Sequence, residues 1–126
     1  MGSKIPVSVV IIVKNEEKRI GACLESVKWA DDIVIIDDMS TDRTVEIARN
    51  YTDRIIQRKM DIEGVHRNYA YSQAKDEWVL SLDADETVSP ELKEEIGRVV
   101  TGDTGSGHNV FAIPLRNYIG GYWVKW

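Results

Sequence analysis

The chain is poor in the residues that mark several common kinds of site. Its 126 residues include one cysteine, Cys23, and two histidines. A single cysteine excludes an internal disulfide and the paired-cysteine spacing of a zinc site. No Ser/His/Asp arrangement and no glycine-rich phosphate loop is present. Cys23 lies within an apolar helical pattern, which predicts a buried core thiol and fits a reducing, cytoplasmic compartment.

The chain also has no excess of positive charge, and it has no long apolar run. It has 16 basic and 21 acidic residues, and a formal net charge of -5. This balance argues against nucleic acid as a partner, because binding to a phosphate backbone depends on clustered Lys and Arg. The apolar runs are of strand length, well short of the ~20 residues of a spanning helix. A length of 126 residues suits one domain with one core.

Apolar strand patterns alternate along the chain with helical ones. The first two strand patterns are continuous and rich in β-branched residues, as in strands that are buried on both faces. Helices are expected after N-cap candidates such as Asn15 and Ser89, the latter followed by Pro90. This alternation predicts an α/β fold: a Rossmann-like, mostly parallel sheet with helices on both faces. The predicted strands are residues 7–13, 33–36, 54–57, 77–82 and 110–115, and a further helix is expected over residues 62–74.

Two carboxylates follow the fourth predicted strand, Asp83 and Asp85, with Ala84 between them. Ligands of open α/β sheets bind at the carboxyl ends of the strands. Carboxylate oxygens suit Mg²⁺ or Mn²⁺, and such ions usually complete their shell with substrate phosphates. The pattern indicates a cation site for a phosphate-bearing ligand; the alternative is an ordinary turn, which Asp tolerates.

Polar residues also follow the other strands. Asp37 and Asp38 end the second strand, where one carboxylate could accept a hydrogen bond from a nucleoside or simply belong to an acidic turn. Residues 14–16 follow the first strand and either begin a helix or line a pocket. We expect these two strand ends to converge with Asp83 on one crevice, while Arg58 and Lys59 after the third strand are left out. Arg67 is either a surface residue or a contact to phosphate or base.

Four segments in this order resemble family-2 glycosyltransferases, and most closely the branch of lipopolysaccharide core β-glucosyltransferases. The similarity covers roughly residues 7–101, the nucleotide-binding half of the GT-A fold. The segments that carry it are residues 8–17 (SVVIIVKNEE), 35–44 (IIDDMSTDRT), 67–68 (RN) and 82–86 (LDADE).

The resemblance implies inverting transfer of a hexose from a UDP-sugar to a cell-envelope glycan or glycolipid. It assigns Asp85, with Asp83, to Mg²⁺ or Mn²⁺ at the diphosphate. It assigns a second group to the donor nucleotide: Val13, Lys14, Asn15, Glu16, Asp37, Asp38, Arg67 and Asp83.

The resemblance also implies what residues 1–126 do not supply. The family's acceptor site and general base lie downstream, so we expect the base beyond Trp126 and treat the chain as a single nucleotide-sugar-binding domain truncated at its C-terminus. We expect peripheral contact with the inner face of the cytoplasmic membrane in the intact protein, and self-association through residues 110–126. Two alternatives stay open: a non-catalytic nucleotide-sugar-binding or interaction module, and a nucleotidyltransferase.

Overall fold

A computed structural model of the chain describes residues 4–60, 69–76, 78–101, 110–112 and 122–125. Strands and helices alternate through most of this range, and residues 69–72 are also helical. The strands are β1 (Ile5–Val13), β2 (Ala30–Asp37), β3 (Ile55–Gln57), β4 (Trp78–Asp83), β5 (Val110–Ala112) and β6 (Tyr122–Lys125). The helices are α1 (Ile20–Glu25), α2 (Thr44–Ala48) and α3 (Pro90–Thr101).

The described strands form one sheet in the order β3-β2-β1-β4-β6-β5. The first four in this order run parallel to one another, and β6 pairs antiparallel with both β4 and β5. The chain moves outward from β1 through β2 to β3 and then returns to the other side of β1 for β4. The order of the strands therefore reverses beside β1, which is where open α/β sheets bind ligands.

Each face of the sheet has its own apolar layer. The first cluster packs one face against α1, α2 and α3, and it includes Ile11, Ile35 and Leu80. The second cluster covers the other face with the helical residues 69–72 and includes Ile36. Side chains alternate between the faces along each strand, so a continuous β-branched run supplies both layers. The predicted fold class, a mostly parallel sheet with helices on both faces, is confirmed.

Two predicted N-caps have different outcomes. Ser89 caps α3 as expected: its Oγ accepts the N–H of Leu92 at 3.1 Å, and Pro90 is the first helical residue. Asn15 does not cap α1, which begins only at Ile20. Asn15 instead adopts a left-handed conformation (φ 51°), which asparagine tolerates better than most residues. That prediction was wrong because a tertiary contact uses the polar groups of Asn15.

One predicted helix ends early, one predicted strand is described only in part, and one strand was not predicted. Of the helix predicted over 62–74, residues 69–72 are helical and 73–74 are not, while residues 62–68 lie outside the description. The predicted fifth strand contains β5, and its residues 113–115 lie outside the description. Strand β6 was not predicted, since a short antiparallel strand is fixed by its partners rather than by its own pattern.

Candidate functional site

The parallel strands β1, β2 and β4 end at one edge of the sheet. Val13 at the end of β1 is in register with Asp37, and Ile12 is in register with Asp83. Asp37 is in turn in register with Gln57 at the end of β3. Neighbouring strands lie ~4.8 Å apart, so the residues that follow them come together along this edge. The predicted convergence of the strand ends is observed.

Two of the predicted carboxylates lie on the same side of that edge. Asp38 stands two residues beyond Ile36, and Asp83 four residues beyond Val79. Both Ile36 and Val79 belong to the second apolar cluster. Because side chains alternate along a strand, Asp38 and Asp83 extend the face of the second cluster.

Asp37 supports the loop after β2. Its side chain is completely buried. The carboxylate accepts the Ser40 N–H at 3.0 Å and the Gln57 Nε2–H at 3.3 Å, and it also accepts the Ser40 hydroxyl. A carboxylate so enclosed and so fully hydrogen-bonded holds the turn and does not face a ligand.

Asp38 occupies the adjoining position with fewer partners. Its N–H donates to the Val13 carbonyl at 2.8 Å, which fixes the backbone across the ends of β1 and β2. Its Oδ1 accepts the Met60 N–H at 2.8 Å. A carboxylate can accept about four hydrogen bonds, so the Met60 contact leaves accepting capacity on Asp38.

The loop after β1 interlocks with the loop after β2. The Asn15 N–H donates to Ser40 Oγ at 2.8 Å, and Asn15 Oδ1 accepts the Thr41 N–H at 2.7 Å. The N–H of Glu16 donates to Thr44 Oγ1 at 2.9 Å. A ligand at this loop would therefore meet carbonyls and side chains rather than the N–H groups of residues 15 and 16. Lys14 is exposed beside them.

Asp42 fastens the same two loops. It accepts the Glu17 N–H at 3.2 Å, the Thr44 N–H at 2.9 Å and the Thr44 hydroxyl. Desolvation works against ionisation of this carboxyl, but the hydrogen bonds from Thr44 and Glu17 outweigh it and lower the pKa of Asp42. The charged form is thus the one that the loops hold.

The turn after β4 exposes two carboxylates and buries the residue between them. Asp83 and Asp85 are exposed, whereas Ala84 is buried against the core. Glu86 closes the turn in both directions: its Oε1 accepts the Asp83 N–H at 2.9 Å, and its N–H donates to the Asp83 carbonyl at 2.9 Å. Arg19 Nη1 lies 3.6 Å from Asp85 Oδ2, an exposed contact of little energetic value.

Cys23 lies beneath this turn. Its thiol is fully buried and contacts the Asp83 carbonyl, with 3.7 Å between Sγ and O. Burial, followed by the negative charges of Glu86, Asp85 and Asp83, raises the pKa of Cys23 to about 12. The prediction of a buried core thiol is confirmed, and the thiol stays protonated.

The chemistry of this edge fits a divalent cation only together with a ligand. Nowhere in residues 4–60, 69–76 and 78–100 do three or more His, Cys, Asp or Glu side chains form a group able to enclose a metal ion. Asp83 and Asp85 offer two hard oxygen donors. Mg²⁺ commonly takes one or two carboxylates and fills its other positions with water and substrate phosphates, so the pair fits such an ion.

Some residues of the candidate site are not described by the structure or were not predicted from the sequence. Arg67 lies outside the described residues. Glu86 is not among the predicted site residues, and its role in the turn is visible only from its reciprocal bonds with Asp83. Ser40 and Thr44 are also absent from the predicted set, because their partners lie on the loop after β1, far away in sequence.

The chain matches known proteins over most of its length. The model of the family "Glycosyl transferase family 2" matches residues 8–114. An uncharacterised glycosyltransferase of Rickettsia typhi is 34% identical over 110 residues, which is 86% of this chain and 38% of that protein. The lipopolysaccharide core biosynthesis glycosyltransferase LpsC of Rhizobium meliloti is 33% identical over 96 residues, or 72% of this chain and 36% of the relative.

A solved structure has the same fold. Glucosyl-3-phosphoglycerate synthase of Mycobacterium tuberculosis, in complex with Mn²⁺ and UDP-glucose, superposes with a TM-score of 0.65 at 21% identity. The superposition covers 86% of this chain and 42% of the synthase. The present chain thus spans about two fifths of the length of these proteins. The family match favours a glycosyltransferase over a nucleotidyltransferase, and the chain belongs to glycosyl transferase family 2.

Proposed function

We propose that this chain is the donor-binding part of an inverting glycosyltransferase that takes a hexose from a UDP-sugar. The observation that carries the proposal is the shared strand edge, which brings Asp38 and the Asp83 turn onto one side of the sheet. An acceptor for nucleoside N–H or O–H groups and a pair of metal-binding carboxylates are what a nucleoside diphosphate with its cation requires.

Each carboxylate has a distinct role in this proposal. Asp38 accepts a hydrogen bond from the base or ribose, and Asp37 holds the loop that positions Asp38. Asp85 and Asp83 hold Mg²⁺ or Mn²⁺ against the diphosphate. When bound, such an ion neutralises the charge that develops on the departing diphosphate. Val13 and residues 14–16 line the base pocket, and the nucleotide contact assigned to Arg67 stays a prediction.

The general base is proposed to lie outside residues 1–126. An inverting transfer needs a carboxylate that takes the proton of the acceptor hydroxyl as it attacks. Glu86 is unsuited to this, because it is buried and its Oε1 already accepts the Asp83 N–H. We keep the expectation that the base is downstream of Trp126.

The acceptor and the cellular setting are also proposals. The name of the Rhizobium meliloti relative, a lipopolysaccharide core biosynthesis enzyme, supports a cell-envelope glycan or glycolipid acceptor. No helix in the described part of the chain has the length and apolar character needed to cross a bilayer. We propose a cytoplasmic protein that meets its acceptor at the inner face of the membrane. Self-association through residues 110–126 is tested by sedimentation velocity, where a strictly monomeric profile at high concentration contradicts it.

A second candidate function is a non-catalytic nucleotide-sugar-binding module. It is favoured by the enclosure of Glu86, which is buried and bonded to the Asp83 N–H and is therefore unsuited to act as a base. Both candidates require the same donor site and differ only in whether transfer follows.

Calorimetric titration of UDP, with and without Mn²⁺, tests the donor site. We expect binding that strengthens with Mn²⁺, and we expect Asp85→Ala to weaken the Mn²⁺-dependent binding at least about tenfold, since even outer partners of a metal site are worth that much. Asp53→Ala is the matched control, because Asp53 is equally exposed but lies at the opposite edge of the sheet.

The outcomes separate the candidates. An absence of UDP binding under every condition overturns the donor site and both candidate functions. Binding that does not respond to Mn²⁺ or to Asp85→Ala overturns the metal role of the Asp83 turn. Hydrolysis or transfer of the donor sugar by this 126-residue chain would refute the proposed absence of the base and the non-catalytic candidate.

A further inference from the structure

Arg58 lies directly after β3, at the same sheet edge as the proposed donor site. Its N–H donates to the Asp37 carbonyl at 2.8 Å. Two residues later, the Met60 N–H donates to Asp38 Oδ1 at 2.8 Å. The segment after β3 therefore runs along the Asp38 carboxylate and borders the proposed donor site on that side.

The guanidinium of Arg58 is held in a fixed plane. Its Cζ lies 3.9 Å from the centroid of the Tyr69 ring. Arg58 stands two residues beyond Ile56, just as Asp38 stands two residues beyond Ile36, and both isoleucines pack in the second apolar cluster together with Tyr69. Arg58 and Asp38 therefore extend the same face. Stacking on an aromatic ring fixes a planar fork whose N–H groups point along its edge.

One nitrogen of this fork has no acceptor within the described structure. Arg58 Nη1 is enclosed by protein and makes no hydrogen bond there. A buried, charged N–H donor without an acceptor is costly, and such a group in a native protein calls for an explanation. An acceptor on a ligand that enters the crevice beside Asp38 would supply the missing bond.

The position of Arg58 in the sheet indicates which part of the ligand it would contact. Strand β3 is separated from β4 by β2 and β1, three interstrand steps of ~4.8 Å, or about 14 Å in all. A diphosphate held at Asp83 and Asp85 lies at the β4 side, so Arg58 is at the nucleoside end. Beside it, Asp38 is an acceptor, and the two side chains together offer one donor and one acceptor to the edge of a base.

We propose that Arg58 is a donor-recognition residue whose guanidinium, stacked on Tyr69, donates a hydrogen bond to a carbonyl oxygen of the nucleobase beside Asp38. This inference rests on the proposed function, because it takes the crevice to be the UDP-sugar site. It adds a contact from the strand end that sequence reasoning left out of the site.

Two probes distinguish the nucleoside end from the metal end. UDP and inorganic pyrophosphate are titrated separately, each with Mn²⁺, into the wild-type chain, Arg58→Ala and Arg58→Lys. We expect Arg58→Ala to weaken UDP binding about tenfold or more and to leave pyrophosphate binding unchanged. Arg58→Lys keeps the charge and the apolar stem, so it is expected to fold even if Arg58→Ala does not. It should still weaken UDP binding relative to pyrophosphate binding, because lysine lacks the planar fork. Arg49→Ala, at an exposed arginine after α2, is the control and should bind both ligands as the wild type does.

The results distinguish a failure of this inference from a failure of the proposed function on which it rests. If the wild-type protein does not bind UDP, the proposed function is wrong, and the inference, which rests on it, is wrong as well. Wild-type protein that binds UDP while both Arg58 variants bind it equally well overturns the inference alone. Equal weakening of UDP and pyrophosphate in the Arg58 variants also overturns it, since that result indicates a structural or diphosphate role. A selective loss of UDP supports the inference.

Discussion

The two ends of the parallel strands carry similar residues in opposite states. At the amino end, Asp32 has a side-chain exposure of 2% and bonds to Arg54 at 2.5 Å, to the Ser8 hydroxyl at 2.7 Å and to the Lys75 N–H at 3.1 Å. At the carboxyl end, Asp83 and Asp85 are exposed. Asp32 at the amino end links neighbouring segments through its hydrogen bonds, whereas Asp83 and Asp85 at the carboxyl end are exposed to solvent.

The difference lies in burial, and in the hydrogen bonds that enclose Asp32, rather than in residue type. Burial opposes ionisation of Asp32, but the bonds from Ser8, Lys75 and Arg54 outweigh it and lower the pKa of Asp32. A carboxylate so buried and so bonded stabilises the fold and is not accessible to a ligand. Asp76 adjoins this group, because its N–H donates to Ser8 Oγ at 3.0 Å. We call Ser8, Asp32, Arg54, Lys75 and Asp76 the amino-end cluster, and its contrast with the carboxyl end can be tested residue by residue.

The largest effect is expected at the centre of the amino-end cluster. Asp32→Ala leaves Arg54, the Ser8 hydroxyl and the Lys75 N–H without their shared acceptor, so we expect a loss of about 3 kcal/mol in the free energy of unfolding. Urea unfolding at pH 7, followed by tryptophan fluorescence, measures it. The exposed Asp53→Ala should change stability by less than about 0.5 kcal/mol. An equally small effect of Asp32→Ala would remove the contrast between the two ends.

An intermediate effect is expected within the carboxyl end, where neighbouring aspartates should behave differently. Asp37→Ala removes the acceptor of the Ser40 and Gln57 groups and should cost about 2 kcal/mol of stability. Asp38→Ala should cost less stability but weaken Mn²⁺-dependent UDP binding about tenfold. Unfolding and calorimetry on both variants test this, and the reverse assignment of the two losses contradicts it.

The smallest effect is expected from Asp76, through its dependence on pH. Burial, followed by a hydrogen bond and repulsion from Asp31, raises the pKa of Asp76 above its ordinary 3.8. The fold therefore favours protonated Asp76: this contribution is complete below pH 3.8 and is lost as the pH rises through the folded pKa. Asp76→Asn should accordingly raise the urea midpoint at pH 7.

The control for this prediction is the same comparison in acid. The gain from Asp76→Asn should fade as the pH falls toward 3.8, because the wild-type carboxyl is then neutral as well. Asp85→Asn, at the exposed end, should show no such gain at pH 7. An Asp76→Asn midpoint equal to that of the wild type at both pH values would contradict the repulsion between Asp76 and Asp31.

Most of the fold follows from local patterns in the sequence. The β-branched runs of β1 and β2, the apolar run of β4 and the Ser89-Pro90 start of α3 are signals within a few residues, and the structure confirms them. Asn15 shows the limit of such signals. A polar residue before an apolar helical pattern is typical of an N-cap, but the Ser40 and Thr41 groups some 25 residues away take its hydrogen bonds instead.

The candidate site shows the same division. The order of polar strand ends predicts that Asp38 and Asp83 share an edge, because parallel strands end together. Asp37 and Asp38 are both buried, and which of them is held by several hydrogen bonds depends on Gln57 and Ser40, whose positions follow from strand pairing and loop packing. The sequence gives no sign that the segment after β3 runs along Asp38, and Arg58 was therefore left out.

The sequence by itself determined the class of the fold, the buried strands and the residue types at the ligand edge, because periodicity and polarity act over short distances along the chain. Only the tertiary structure decided that Asp37 is enclosed while Asp83 and Asp85 are exposed, that β6 enters the sheet antiparallel beside β4, and that Arg58 stacks on Tyr69 near Asp38. These outcomes depend on pairings between segments far apart in sequence, and hydrogen-bond saturation depends on what those pairings bring within about 3 Å.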